Sequence, residues 1–150
     1  MGKKRIIEKS EEELIKEAKQ VTDATSPKFH VSSKKKITEG RIYIYSSYNN
    51  TIMTLTDEKG NVMFGTSAGR VGFKGAKKST PFAASKVADA IAQTAQAQGM
   101  GKVKLFVKGI GSGRDSAIRT LGTKGLELLS IKDITPIPHN GPRMRKSRRV

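Results

Sequence analysis

Apolar and polar residues alternate along Arg41-Ile42-Tyr43-Ile44-Tyr45-Ser46-Ser47-Tyr48 and again along Thr51-Ile52-Met53-Thr54-Leu55-Thr56. A period of two in β-branched and aromatic residues predicts half-buried strands. Only Asn49-Asn50 stands between the two runs, and Asn tolerates the left-handed conformations of a tight hairpin. Asp57-Glu58-Lys59-Gly60 predicts a second turn, leading into a third strand over Asn61-Val62-Met63-Phe64-Gly65. The period changes beyond the loop from Gly69 to Thr80. Ser79-Thr80-Pro81 offers a hydroxyl cap followed by Pro at the first helical position. Ala84, Val87, Ala88, Ile91 and Ala95 then recur at helical spacing until Gly99 ends the helix. Lys102 to Lys108 alternates cleanly as a fourth strand. A second helix is expected from Asp115 or Ser116, carrying Ala117, Ile118 and Leu121, and Ser130 to Thr135 reads as a weaker fifth strand.

The order β-β-β-α-β-α-β predicts an α/β fold, a mixed five-stranded sheet with flanking helices; ribonuclease-H-like nucleases share this order. Right-handed helical crossovers make strands three, four and five parallel, and the meander makes strand one parallel to strand three. Asn49-Asn50, the 69–80 loop, the 109–115 loop and the chain after strand five then leave one edge of the sheet. In open α/β sheets that carboxyl edge is where ligands bind.

The chain divides into an arm over 1–40, a globular domain over 41–135 and an extended basic tail over 136–150. In the arm Ser10 and Glu13 fit a capping box, with Leu14, Ala18 and Val21 on one helical face. So short a helix is marginal alone, which leaves two readings: an arm that orders on a partner, or a solvated tail. Pro136, Pro138 and Pro142 keep the C-terminal segment extended.

Charge adds the next constraint. Lys and Arg number 29 against 13 Asp and Glu, a formal +16 over 150 residues. That excess repels itself in a compact state unless a polyanion neutralises it, so nucleic acid comes first and an anionic membrane second. The first 40 residues are nearly balanced at ten basic against seven acidic, so nineteen against six in the remainder supply +13 of the +16. With 35% hydrophobic residues the centre can still build a core. There is no Cys, which removes disulfides, thiolate metal sites and thiol catalysis. No apolar run approaches membrane-spanning length. No apolar stretch follows the positive N-terminal residues, and Ile6 stands where a myristoylation motif needs Ser or Thr. A soluble, cytoplasmic protein is expected.

Three segments offer chemistry. The loop Arg70-Val71-Gly72-Phe73-Lys74-Gly75-Ala76-Lys77-Lys78-Ser79-Thr80 holds four cations and no acid, and it ends at a helix N-terminus that favours an anion. Phe73 either stacks on a base or anchors the loop to the core. Gly109-Ile110-Gly111-Ser112-Gly113-Arg114 lacks the Lys-Ser/Thr ending of a P-loop and the spacing of a dinucleotide fingerprint, so no nucleotide cofactor is expected. Backbone contact to RNA phosphates there, helped by Arg114 and Arg119, is compatible with the sequence. The tail carries Arg143, Arg145, Lys146, Arg148 and Arg149 without an acid, and the planar Arg fork suits phosphate and base edges. His139 fits hydrogen bonding or stacking better than metal ligation. Asn140-Gly141 is a candidate for deamidation or isoaspartate formation, because Gly leaves the backbone nitrogen unhindered.

Catalysis has no foothold in this pattern. Strands one and four contain no Asp or Glu in their predicted runs, Asp57 and Glu58 fall in a turn at the opposite edge, and Asp89 and Asp115 have no evident partner. Metal-dependent nucleases need clustered carboxylates. Neither cofactor, metal nor small-molecule substrate is expected.

Ser47-Tyr48-Asn49-Asn50-Thr51, Ser67-Ala68-Gly69, Gly72-Phe73-Lys74-Gly75, Lys78-Ser79-Thr80-Pro81-Phe82-Ala83-Ala84, Gly113-Arg114-Asp115-Ser116-Ala117-Ile118-Arg119 and Asp133-Ile134-Thr135-Pro136-Ile137-Pro138-His139-Asn140-Gly141 together resemble the bacterial-type small ribosomal subunit protein eleven family. The resemblance covers Val31 to Val150. It implies a ribonuclease-H-like fold without catalysis, and binding to small-subunit rRNA in the platform beside the mRNA exit and E-site. It implies neighbours resembling small-subunit proteins six, seven, eighteen and twenty-one, with mRNA nearby. On this reading Lys74, Lys77, Lys78, Ser79 and Thr80, the Gly109, Gly111, Gly113 and Arg114 loop, and the Arg-rich tail face rRNA. Asn49, Asn50, His139 and Asn140 at the same edge, and Arg119 beyond the glycine loop, complete the candidate rRNA contacts. Ile110 and Ser112 stand where the family often has prolines, Arg70 where it has a glycine, and Pro142 and Met144-Arg145 replace a Cys-Arg-Pro-Pro ending. The alternative is a basic DNA-binding or nucleoid protein; affinity for rRNA fragments against duplex DNA at equal salt separates the two.

Overall fold

Alternation places Ile42, Ile44 and Ser46 on one side of the first strand and Arg41, Tyr43 and Tyr45 on the other, and only the first set is fully buried. In a computed structural model, which describes residues 38–147, this strand is β1 (Glu39–Ser46). It pairs antiparallel with β2 (Thr51–Asp57), which pairs antiparallel with β3 (Val62–Ser67). β4 (Lys102–Lys108) inserts beside β1 in parallel, and β5 (Glu127–Asp133) adds in parallel beyond it, giving the order β3-β2-β1-β4-β5. All strands but β2 therefore run the same way, as the crossover rule requires. Residues 1–37 of the arm expected over 1–40, and the last three tail residues, lie outside the described residues.

The helix α1 (Pro81–Ala97) connects β3 to β4, and α2 (Gly113–Thr123) connects β4 to β5. Both crossovers advance in the same direction across the sheet, so both helices lie on one face and pack against each other. The buried side of α1 is mostly Ala (Ala83, Ala84, Ala88, Ala92, Ala95) with Val87 and Ile91. These small side chains bring the helix close to Met53, Leu55 and Phe64 in a shared core with Val103, Leu105 and Val107. Thr80 caps α1 by accepting from the Ala83 N–H at 3.2 Å. The helix closes when Gly99 and Met100 return their N–H groups to the Gln96 and Ala95 carbonyls, at 2.9 and 3.0 Å. That is the Schellman pattern, with Met100 buried behind it.

Several boundaries differ from the sequence expectation, for reasons of local bonding or of tertiary contact. The first hairpin turns through Ser47–Asn50 rather than Asn49-Asn50 alone. Ser47 N–H donates to the Asn50 carbonyl at 2.9 Å, and the Ser47 hydroxyl accepts from Asn50 N–H at 3.1 Å. β1 also extends back to Glu39, where it pairs with Lys102. α2 begins at Gly113, before Asp115 or Ser116, because its first turn packs directly on Ala84 and Thr51. β5 starts at Glu127, earlier than Ser130, and an irregularity opposite Val103 and Lys104 breaks the alternation that would have shown it. Its end at Asp133 leaves Thr135 to bond elsewhere.

Gly109 is where the fold tolerates least. Its φ is +97°, and a β-carbon there would collide with the Ser46 carbonyl oxygen. Gly109→Ala is expected to destabilise the protein by about 2 kcal/mol or more, combining left-handed strain with a backbone clash. Gly122→Ala, in α2 with only Leu128 at an ordinary 3.7 Å, is expected to be neutral or to stabilise by about 0.5–1 kcal/mol. Urea midpoints measure both; equal midpoints for the two variants would disprove the constraint.

Candidate nucleic-acid interface

The carboxyl edge of the sheet is tied together by hydrogen bonds between segments far apart in sequence. Gly111 N–H donates to the Ser46 carbonyl at 3.0 Å, fixing the 109–113 loop on the end of β1. The Ser112 hydroxyl donates to the Ser79 carbonyl at 2.7 Å, joining that loop to the basic loop before α1. Gly109 N–H donates to the Thr135 hydroxyl at 3.0 Å, joining it to the root of the tail. Ala68 N–H donates to the Thr51 carbonyl at 3.0 Å, where the chain enters the basic loop.

Arg114 and Asp133 brace this arrangement. Arg114 Nη2 lies 2.7 Å from Asp133 Oδ2, and Nη1 donates to the Gly109 carbonyl at 3.1 Å. The other Asp133 oxygen accepts from Thr135 N–H at 2.8 Å and from the Thr135 hydroxyl at 2.7 Å. Hydrogen bonding from Arg114, then from Thr135, holds the Asp133 carboxyl well below the usual carboxylate range.

The cations stand on this frame. Gly75–Ser79 forms a 3-10 turn that presents Lys74 and Lys77 exposed and Lys78 half-buried, directly before the N-terminus of α1. The Ser79 hydroxyl donates to the Ala76 carbonyl at 3.1 Å and the Thr80 hydroxyl to the Lys77 carbonyl at 2.8 Å, so these two side chains shape the loop. Asn49 is exposed at the hairpin tip, while Asn50 Oδ1 accepts from Thr51 N–H at 3.0 Å. Arg119 is exposed on α2, about 9 Å along the axis from Gly113. His139, Asn140, Arg143, Arg145 and Lys146 are exposed along a tail without regular structure, and Asn140 has φ 52°. Arg148 and Arg149 lie outside the described residues.

The structure thus gathers the hairpin, the basic loop, the glycine loop and the tail root. Its account of individual residues is less uniform. Gly111 and Gly113 serve close packing: a β-carbon on Gly111 would overlap the Ser47 carbonyl, and one on Gly113 would lie 2.7 Å from Ala84 Cβ and Thr51 Oγ1. Phe73 anchors the loop, half-buried against the core and edge-on to Phe82 at 5.9 Å. Phe82 is the residue that sequence reasoning passed over: it is 61% exposed, with the Lys86 ammonium 5.6 Å from its ring centre. Its signal was an aromatic beside Pro81, out of phase with the buried Ala83, Ala84, Val87 and Ala88 stripe.

No group of three or more His, Asp or Glu among the described residues is placed to hold a metal ion. No helix among them is long and apolar enough to cross a membrane.

The family model for ribosomal protein S11 matches residues 40–149. Two relatives, each named small ribosomal subunit protein uS11, come from two strains of Treponema pallidum, one of them strain Nichols. Each is 59% identical over 117 residues, covering 78% of this chain and 93% of the relative. The family consists of structural proteins of the ribosome in the cytoplasm, not enzymes. With the match reaching all five strands, both helices and most of the tail, the chain belongs to the ribosomal protein S11 family, as a structural protein of the small ribosomal subunit.

Proposed function

We propose that the chain binds small-subunit rRNA through the carboxyl edge of its sheet and the tail beyond it, in the platform near the mRNA exit and E-site, supporting assembly and translation. The observation that carries this reading is the bonding of Ser112 to Ser79 and of Gly109 to Thr135. Those bonds set the exposed Lys74 and Lys77 and the base of the cationic tail on one rigid edge. Phosphates would be met by Lys74, Lys77, Lys78, Arg119, Arg143, Arg145, Lys146, Arg148 and Arg149. Asn49, His139 and Asn140 would meet sugar or base edges, and Phe82 offers an exposed ring at the start of α1. The strand order with one antiparallel member supports the ribonuclease-H-like description of the fold. Neighbours resembling small-subunit proteins six, seven, eighteen and twenty-one complete the proposed setting.

In this reading Arg114 is a positioning residue. Its guanidinium is committed to Gly109 and Asp133, and it acts on RNA through the loop that it holds. Asn140-Gly141 is the proposed modification site: attack of the Gly141 nitrogen on the Asn140 amide carbon expels ammonia, and water then opens the ring to Asp or isoaspartate.

The platform segment of small-subunit rRNA should bind the full chain in preference to rRNA from elsewhere in the subunit. Each phosphate contact on single-stranded RNA contributes roughly 0.7 to the log–log salt slope. Replacing Lys74, Lys77 and Lys78 with Ala should lower the slope by about 2, and deleting Arg143–Val150 by about 3.5. An unchanged slope would remove the altered segment from the interface.

Asp133 has its carboxyl depressed in the folded state, so its pairing stabilises the fold above the unfolded value of about 3.9. That contribution is lost as pH falls through the lower folded value. Arg114→Gln should return Asp133 toward the usual carboxylate range, read by carboxyl NMR titration, and remove part of the acid-dependent loss of stability. The rRNA salt slope should stay unchanged; a fall of about 0.7 would make Arg114 a direct phosphate contact.

Peptide mapping of aged protein should find Asp or isoaspartate at position 140, and none in Gly141→Val. Unmodified Asn140 after prolonged ageing would dismiss the site.

A further inference from the structure

Both helices cover one face of the sheet, so the side chains that alternate away from them form a second face. Across β1 and β4 the register sets Arg41 beside Lys104, Tyr43 beside Phe106 and Tyr45 beside Lys108. Lys132 on β5 continues the row at Phe106, and Ile52 on β2 adjoins Tyr45. The Tyr43 and Phe106 rings stack at 5.0 Å with 17° between their planes, and the Lys108 ammonium lies 5.8 Å from the Tyr45 ring centre. Tyr45 is 45% exposed and Ile52 40%. The acids on this face, Glu39 and Glu127, both neighbour Lys102 at the opposite end of the sheet. Among the described residues, the part containing the three rings therefore carries cations and no acid.

We propose that this face is a second RNA surface, one that takes unpaired nucleotides. Tyr45 and the Tyr43–Phe106 pair offer ring faces to bases, while Arg41, Lys104, Lys108 and Lys132 meet phosphates. Charge complementarity selects the occupant. An apolar protein segment laid on these rings would cover four cations without neutralising them, a costly burial. A polyanion neutralises them and brings its own flat rings. Lys104 and Lys108 stand about 13 Å apart on β4 with Phe106 midway, an alternation of charge and ring that suits a nucleotide strand. A duplex hides its base faces within the stack, so a single strand or loop is the form this surface reads. The proposal rests on the rRNA-binding reading of the chain and adds a surface to it.

The sequence supplies its own probe: it has three Tyr and no Trp. In a Tyr48→Phe full-length chain, all tyrosine emission comes from Tyr43 and Tyr45. A twelve-nucleotide oligouridine should quench that emission, and an RNA duplex of the same length should quench it less. Tyr45→Ala with Lys132→Glu should weaken oligouridine binding about ten-fold at an unchanged urea midpoint. The quenching should persist when Lys74, Lys77 and Lys78 are replaced with Ala. Oligouridine or rRNA binding without quenching would overturn this face while leaving the carboxyl edge as the rRNA site. Quenching only on addition of other small-subunit proteins would make it a protein surface and equally overturn the proposal. Failure of the unaltered chain to bind any RNA would undo both readings.

Discussion

At the carboxyl end of β1 the backbone of the 109–113 loop lies directly on the backbone of Ser46 and Ser47, with no space for a side chain between them. Much of the structure around this edge follows from that contact. Because Gly109 and Gly111 sit flush on β1, the Gly111 amide reaches the Ser46 carbonyl, and β4 leaves the sheet without lifting away from its neighbour. Because Gly113 has no β-carbon, α2 can begin at once and press its first turn on Ala84 of α1 and Thr51 of β2. Arg114 then emerges where it can clasp both the Gly109 carbonyl and Asp133, and Asp133 in turn orders Thr135 at the root of the tail.

Elements governed by local rules were legible in the sequence. The fourth strand alternates without interruption, and α1 announces itself by Thr80, Pro81 and a stripe of small apolar residues. What depended on distant partners was not legible. A run of three glycines reads as loop, so the start of α2 at Gly113 was hidden; that glycine is present for packing, and helix propensity gives no hint of it. β5 was misplaced because the irregularity near its start disturbs the alternation, and because most of its side chains are exposed. The site divides in the same way. Lys74, Lys77 and the tail were visible as charge without compensating acid. Arg114 looked like one more cation, because Asp133 is nineteen residues further along the chain. Ser79 and Thr80 read as phosphate ligands, and their part in shaping the turn, by short-range bonds from both hydroxyls, was not visible.

Charge and packing place different demands on this chain, and the fold separates them in space. Among the described residues the core contains no ionised side chain: the buried polar residues are Ser46, Thr51, Thr56, Thr66 and Thr94. Most of the described cations stand at the carboxyl edge, in the tail, on the sheet face away from the helices or on helix surface, with Lys59 and Lys124 exposed in connections at the opposite edge. Self-repulsion among them is therefore solvated and screened, which makes it tolerable in the isolated protein. Neutralisation by a polyanion relieves what remains. Binding and stability are coupled in this way without any change in the core.

The same glycine contact bears on what this edge can accommodate. In an open α/β sheet the crevice at the strand ends is where a small ligand is ordinarily enclosed. Here the strand ends of β1 and β2 are roofed by the backbone of 109–113, with Ser46 and Thr51 fully buried beneath it. No side chain fits between this roof and Ser46 or Ser47, and carboxylates placed there would be desolvated without partners. What the roof offers outward is a rigid platform on which loop, hairpin and tail hold fixed relations. A surface of that kind matches a ligand that is itself large, structured and anionic. In the proposed interface, discrimination would come from the spacing of phosphates and exposed bases, which a rigid edge can measure and an enclosing pocket cannot.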